Sequence, residues 1–276
     1  GVDTFKTDIA FEQIHRKNTL HLTGTPFKAL AAGKFSSDAI YNWSYEDEQN
    51  AKAVWDVANE ENSPYKDLPT LNLFTYQLSQ MITDKINKGA TLSDSENIDY
   101  TFDLNEFFKT KENGDFEYEA DVKKFLDSLT NHEKFPFSTP ELRNEIKHSF
   151  WLLNRVSSAK ALKKMLKVHP IFENYKIILA AGNGKSTEEE AKNTSAVGKS
   201  FNRVKEAIAN NDKTITISVG QLTTGVTIPE WTAVFMLSNL SSPALYMQAA
   251  FRAQNPWKFT DKKGNRQQKE NAYIFD

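Results

Sequence analysis

Two rhythms of apolar residues run along the chain. Continuous apolar or β-branched runs bounded by Gly, Pro or Asn read as buried strands, and apolar positions three and four apart read as helices. Thr19–Leu22 is the first such run, stopping at Thr23-Gly24-Thr25-Pro26, and Ala39–Trp43 is a second strand candidate. Between Glu46 and Asn62, Ala51, Val54, Trp55 and Ala58 repeat at helical spacing behind an acidic first turn. Leu68–Leu78, with Pro69 at its start, predicts a strand followed by a helix through Ile86. Ser149–Asn154 is a continuous strand core, followed by a helix capped by Ser157 or Ser158 and running to Lys167. Further strands are expected at Tyr175–Ala181, Thr214–Val219, Ala233–Leu237 and Ala272–Phe275, with helices at Ser200–Asn210 and Pro243–Ala253.

Strands separated by helical crossovers imply an α/β fold built on a doubly wound parallel sheet. Between Asn87 and Glu145 the rhythm breaks. Asp, Glu, Asn and Lys dominate there, and the apolar residues cluster as Phe107, Phe108, Phe125 and Leu126, so we expect a helical insert with loops, about 87–147.

Composition narrows the classes. With 276 residues, 39% hydrophobic and 25% charged, the chain is an ordinary globular one able to bury a substantial core. The absence of cysteine removes thiol nucleophiles, iron–sulfur clusters and zinc ribbons. Lys plus Arg total 34 against 36 Asp plus Glu, so no global basic field exists and any nucleic-acid site has to be local. No long apolar run or leader-like start is present, which gives the expectation of a cytoplasmic chain without membrane contact.

Three weaker patterns read as structure. Gly182-Asn183-Gly184-Lys185-Ser186 has phosphate-loop chemistry, but Leu179 stands where the motif needs Gly, and Glu188 to Glu190 would repel phosphate, so we read a solvated loop. His15, His21, His132, His148 and His169 form no HExxH and no ligand spacing, which implies packing or surface roles and no metal. Glu141, Glu145 and Lys147 are spaced too closely for separate strands and read as one helix surface.

The specific signals come in a fixed order: Thr23-Gly24-Thr25-Pro26 after a strand, the segment Ser218–Pro229 (SVGQLTTGVTIP) after another, and Tyr246–Asn255 (YMQAAFRAQN) on a helix. The sequence resembles the second half of a superfamily 2 helicase or translocase motor, in particular the motor subunits of restriction enzymes. The match runs through 149–276 and, more loosely, through 1–45. The resemblance implies a RecA-like second motor lobe over 46–276, preceded over 1–45 by the tail of the first RecA-like lobe and a linker. Thr23, Gly24 and Thr25 then correspond to motif III, which couples the lobes. Arg155 and Ser157, within Asn154–Ser158, correspond to motif IV on the nucleic-acid backbone, although Arg155 reads equally as a surface residue. Thr223, Thr224, Gly225 and Thr227 correspond to motif V, where Gly225 permits close backbone approach to a ribose or phosphate and the threonines offer hydroxyls.

Gln248 and Arg252 correspond to motif VI. They are four apart and share one helix face, with Arg252 as the arginine finger on the γ-phosphate. The bare reading of Arg252 is a helix-surface ion pair. Thr227 stands where the family has Asp, and Asn255 where it has a second Arg, leaving Lys258 or Arg266 as substitutes.

By the same resemblance the ligands are ATP with Mg²⁺ in the complete motor, none of it held by this chain alone. The partners are DNA, as a duplex, the first RecA-like lobe of the same parent, and other restriction–modification subunits. No Walker A or DExH box precedes Thr23, and Gly1-Val2-Asp3-Thr4 resembles the stretch just after a DExH box, so the expectation is a fragment of a longer motor. The alternative is a non-catalytic RecA-like module that binds nucleic acid or protein through degenerate motifs.

Overall fold

From Leu68 onward the apolar runs expected to be strands become the strands of one parallel sheet. A computed structural model of the protein describes residues 17–33, 35–58, 63–76, 103–131, 135–181, 194–261 and 263–276. The chain forms two compact units, 1–40 and 41–276.

In the first unit an extended segment leads into α1 (Phe27–Ala31), and Gly33, at φ 59°, precedes a 3-10 turn at Ser37–Ala39. Neither strand expected in this region forms. Thr19–Leu22 pairs with no described strand, and Leu20 and Leu22 are 82% and 85% exposed. A lone extended run has nothing to satisfy its backbone ladder, so apolar content alone does not make it a strand. At Ala39–Trp43 the 3-10 turn takes the first residue, and the Asp38 carboxylate bonded to Ser36 favours the turn over an extended start.

The second unit runs α2 (Tyr45–Ala58), β1 (Thr70–Phe74), α3 (Leu104–Phe107), α4 (Glu119–Asn131), α5 (Pro140–Glu145), β2 (His148–Leu152), α6 (Val156–Val168), β3 (Lys176–Ala180), α7 (Thr194–Asn210), β4 (Thr214–Ser218), β5 (Ala233–Met236), α8 (Pro243–Ala250), β6 (Lys258–Thr260), β7 (Arg266–Gln268) and β8 (Asn271–Phe275). The fold is α/β as expected: six parallel strands in the order β1-β8-β5-β2-β4-β3, wound on both faces. Alternate strand residues face opposite sides. Trp151, Ile177, Ile217 and Phe235 meet α4 and α6 through Leu126, Leu129, Leu162 and Leu166. Phe150, Ile178, Val234 and Ile274 meet α7 and α8 through Val204, Ala207, Ala249 and Ala250. The inner strands β2, β4 and β5 are buried on both faces, which is why they read as unbroken apolar runs.

The described part of the insert packs on the sheet. Phe107, Phe108 and Leu126 are fully buried in the first face, with Phe125 against them. Glu141 and Glu145 lie on α5 as expected, whereas Lys147, expected on the same helix surface, lies past its end, directly before β2, and pairs with Asp212 at 3.8 Å. The helix α6 starts one residue before the expected cap. Its N-cap is Arg155, while Ser158 is buried inside the helix and donates its hydroxyl to the Phe108 carbonyl, joining insert to lobe. The hairpin β6–β7 was not legible beforehand, because its three-residue strands carry little apolar pattern; Asp261 and Gly264 (φ 84°) make its turn. The helix expected up to Ile86 and the Gly182–Ser186 loop lie outside the described residues.

Candidate nucleotide and nucleic-acid site

Register aligns the carboxyl ends of four strands. Leu152 of β2 lies opposite Ser218 of β4 and Met236 of β5, and Ala180 of β3 lies opposite Ser218. Loops leaving such an edge form the ligand crevice of an open parallel sheet. After β2 comes Arg155, then Ser157 in the first turn of α6, both exposed.

After β4 the backbone turns tightly. Gly220 is at φ 86° and Gly225 at φ 71°, and between them Leu222, fully buried, is held at φ 65°. A non-glycine residue there costs about 1–2 kcal/mol, which its burial and the surrounding hydrogen bonds offset. The Ser218 hydroxyl donates to the Gln221 carbonyl, and Ser200 of α7 donates to Gln221 Oε1 at 2.6 Å. Gln221 is buried. The Thr223 hydroxyl donates to the Gly220 carbonyl at 2.7 Å and is buried as well. This corrects the expectation that Thr223 offers its hydroxyl outward: the tight turn consumes it. Thr224 is half-buried, and Gly225 and Thr227 are exposed. A Cβ at Gly225 would meet nothing within 4 Å, so the left-handed backbone, rather than crowding, selects glycine there.

The helix α8 begins after β5 with Ser242 as N-cap and Pro243 in its first turn, and Tyr246 donates its hydroxyl to the Asp276 carboxylate at 3.0 Å beside the end of β8. Arg252 lies in the 3-10 turn that follows. Its Nε donates to the Gln248 carbonyl at 2.9 Å and its Nη1 to the Val226 carbonyl at 2.6 Å. The Arg252 side chain thus ties the end of α8 to the loop after β4, and desolvation lowers its pKa from the usual arginine value. It forms no ion pair among the described residues, and its partners there are the two carbonyls.

The structure brings Gln248, Arg252 and the stretch around Gly225–Thr227 together. Arg155 and Ser157 follow the carboxyl end of β2, whereas Ala253, next to Arg252, is held by Lys269 at the amino end of β8. Lys258 pairs with Asp67 at 2.6 Å, before β1 begins, and Arg266 sits exposed on β7. Asn255 donates to the Arg252 carbonyl at 3.2 Å. In the first unit Thr23 and Gly24 are exposed, and the Thr25 amide donates to Thr23 Oγ1 at 3.1 Å.

Lys269 was missed. It is buried, and its ammonium donates to the carbonyls of Pro229, Trp231 and Ala253 at 2.8, 2.9 and 2.8 Å. Burial pushes its pKa down to about 7, yet three acceptors match the three hydrogens of the charged form, for which the pocket is shaped. A polar residue just before an apolar strand was the only sequence signal.

No family model matches the chain. It is 32% identical over 288 residues to the C-terminal part of a protein from Mycoplasma pneumoniae provisionally named as a type II restriction enzyme and methyltransferase. The match covers 96% of this chain and 38% of that relative. Among solved structures, T4 UvsW aligns over 75% of this chain and 32% of its own, with 15% identity and a TM-score of 0.36. The C-terminal part of the Fun30 ATPase domain aligns over 56% of this chain and 46% of its own, with 12% identity and a TM-score of 0.29. Scores below 0.5 do not establish a shared fold. Among the described residues, no helix is long and apolar enough to cross a membrane.

Proposed function

We propose that the chain is the second motor lobe, with its lead-in, of an ATP-dependent DNA translocase or helicase of a restriction–modification system. The observation that carries this reading is the Arg252 side chain, which clamps the motif V loop through the Val226 carbonyl. An arginine so placed lets a change at the nucleotide reach the loop after β4, and its remaining N–H groups stay available to a phosphate. The relative's name, with its restriction and methylation activities, supports the same setting.

In this reading Arg252, Gln248, Gly225 and Thr227 meet ATP, Arg252 acting on the γ-phosphate. Arg155, Ser157 and Thr224 hold the phosphate backbone of duplex DNA, and Thr23, Gly24 and Thr25 couple the lobes. Two ligands need two surfaces, and the placing of Arg155 and Ser157 after β2 and of Arg252 near the start of β8 fits that. When bound, ATP supplies the phosphoanhydride whose hydrolysis drives movement. Among the described residues no three His, Asp or Glu side chains gather as a metal site, so Mg²⁺ is assigned no ligand here. The first lobe of the same parent and other restriction–modification subunits are the protein partners.

The test is DNA-stimulated ATP hydrolysis by the complete parent chain. Arg252→Ala lowers turnover by a factor on the order of 10³, the scale of other arginine fingers. Unchanged turnover would leave the non-catalytic RecA-like binding module as the better reading, with Thr227 and Asn255 as signs of degenerate motifs.

A further inference from the structure

The chain is slightly acidic overall, yet one surface collects cations. Along α6, Lys160, Lys163, Lys164 and Lys167 recur at spacings of three and four, so they share one face, and the helix itself contains no carboxylate. Lys160, Lys164 and Lys167 are exposed and Lys163 half-buried. The strip starts at Arg155 and descends toward the amino edge of the sheet. There it meets β3, the edge strand, whose first residue is the exposed Lys176. On the other side of β3 lies α7, with exposed Lys199 and Arg203 one turn apart. The grouping is close enough that, besides desolvation, Lys167, Arg203 and Lys176 all depress the pKa of Lys163.

Among the described residues the carboxylates nearby are three, the first being the exposed Glu173 in the turn before β3. Asp115 approaches Lys164 at 3.5 Å, and Glu206 follows Arg203 by three residues on α7. Among the described residues Lys160, Lys163, Lys167, Lys176 and Arg203 form no ion pair. Charge on an edge strand also deters edge-to-edge pairing, which alone would explain Lys176. It does not explain a lysine strip down the exposed face of a neighbouring helix, nor an arginine added from the opposite face of the sheet.

We propose that the α6–β3–α7 surface is a second track for a nucleic-acid phosphate backbone, continuing from Arg155 around the open edge of the sheet. Lys160 to Lys167 spans about 10 Å of helix, or about three phosphates of one strand at the axial spacing of duplex DNA. The track reads no bases and holds nucleic acid by charge alone. It rests on the motor reading only for the choice of nucleic acid over another polyanion. The hydrogen-bonded chain from Arg203 Nη2 to Ser200 (3.0 Å), and from Ser200 to Gln221, ends in the loop after β4, so the track adjoins the candidate motif V segment.

The test is fluorescence anisotropy of a labelled 30-base-pair duplex with the 276-residue chain across a salt series. The triple variant Lys163→Gln, Lys167→Gln, Arg203→Gln weakens binding by about tenfold or more at low salt and flattens the slope of log K against log salt by about two to three. Lys163→Arg with Lys167→Arg keeps both, and neutralising Lys111, Lys123 and Lys124 changes neither. Thermal melts matching the parent's show that the triple variant is folded.

A triple variant that binds as the unaltered chain does, with the same slope, overturns the track and leaves edge protection. So does an unaltered chain that fails to bind duplex at low salt. Polyglutamate displacing the duplex at equal charge concentration overturns it in favour of an acidic polypeptide. The motor reading fails separately, if Arg252→Ala leaves turnover of the complete parent unchanged.

Discussion

At the scale of single residues, the sequence picks out candidate side chains but not what they are occupied with. Thr223 and Arg252 both stand out as candidates in the sequence, but the hydroxyl of one is taken by its own turn and one terminal nitrogen of the other by a loop carbonyl. Such commitments depend on backbone turns at Gly220 and Leu222 that no spacing rule reveals. His148 shows the same gap. It was legible only as a packing or surface histidine, and it is buried at the start of β2, sharing a 3.0 Å hydrogen bond with Thr214 and set edge-on to Trp257. Burial pushes its pKa down to about 4, so the folded protein holds it neutral. Between pH about 6.5 and 4 the unfolded chain binds a proton that the fold refuses, and stability therefore falls as pH drops through this window. The contribution is about 3 kcal/mol, fully present above pH 6.5. Urea midpoints at pH 7 and 4.5 measure it: His148→Asn narrows the difference between them, whereas an equal difference in both proteins would mean that His148 is not held neutral.

At the scale of elements, legibility follows burial. Strands covered on both faces, such as β2 and β4, announce themselves as unbroken apolar runs, and α2 and α7 by their periodicity. The runs at Thr19–Leu22 and Ala39–Trp43 look alike on paper and fail because the described chain pairs no strand with them. What holds the elements of the site in place was least visible. Lys269 joins three of them, the descending loop at Pro229 and Trp231, the end of the α8 turn at Ala253, and the start of β8. Lys269→Met keeps the apolar stem but leaves three carbonyls without a donor, and an unsatisfied buried group costs about 1–3 kcal/mol. We expect a loss of about 3 kcal/mol or more in chemical denaturation. Lys269→Arg, whose fork is too wide for three converging carbonyls, should recover only part of it. Full stability in the methionine variant would mean that the carbonyls are satisfied by other donors and that the node is dispensable.

At the scale of the whole molecule, the proposed function makes the sheet one lobe's share of a divided reaction. In that proposal the carboxyl edge, Arg252 and the loop after β4 are the parts that receive phosphate, and the lysine that grips it and the aspartate that holds Mg²⁺ belong to a first lobe. This chain spans 38% of its restriction-enzyme relative, which leaves room for such a lobe in a protein of that length. If catalysis is divided in this way, the 276-residue chain alone turns over no ATP above background with Mg²⁺ and duplex DNA present, even where it binds the duplex through its basic surface. Phosphate release in a coupled assay measures this. Magnesium-dependent turnover abolished by Lys185→Ala would restore the phosphate loop at Gly182–Ser186 that Leu179 and Glu188 to Glu190 argued against. Turnover that survives Lys185→Ala but falls with Arg252→Ala would place the catalytic centre within this lobe, and the division of labour between two lobes would have to be abandoned.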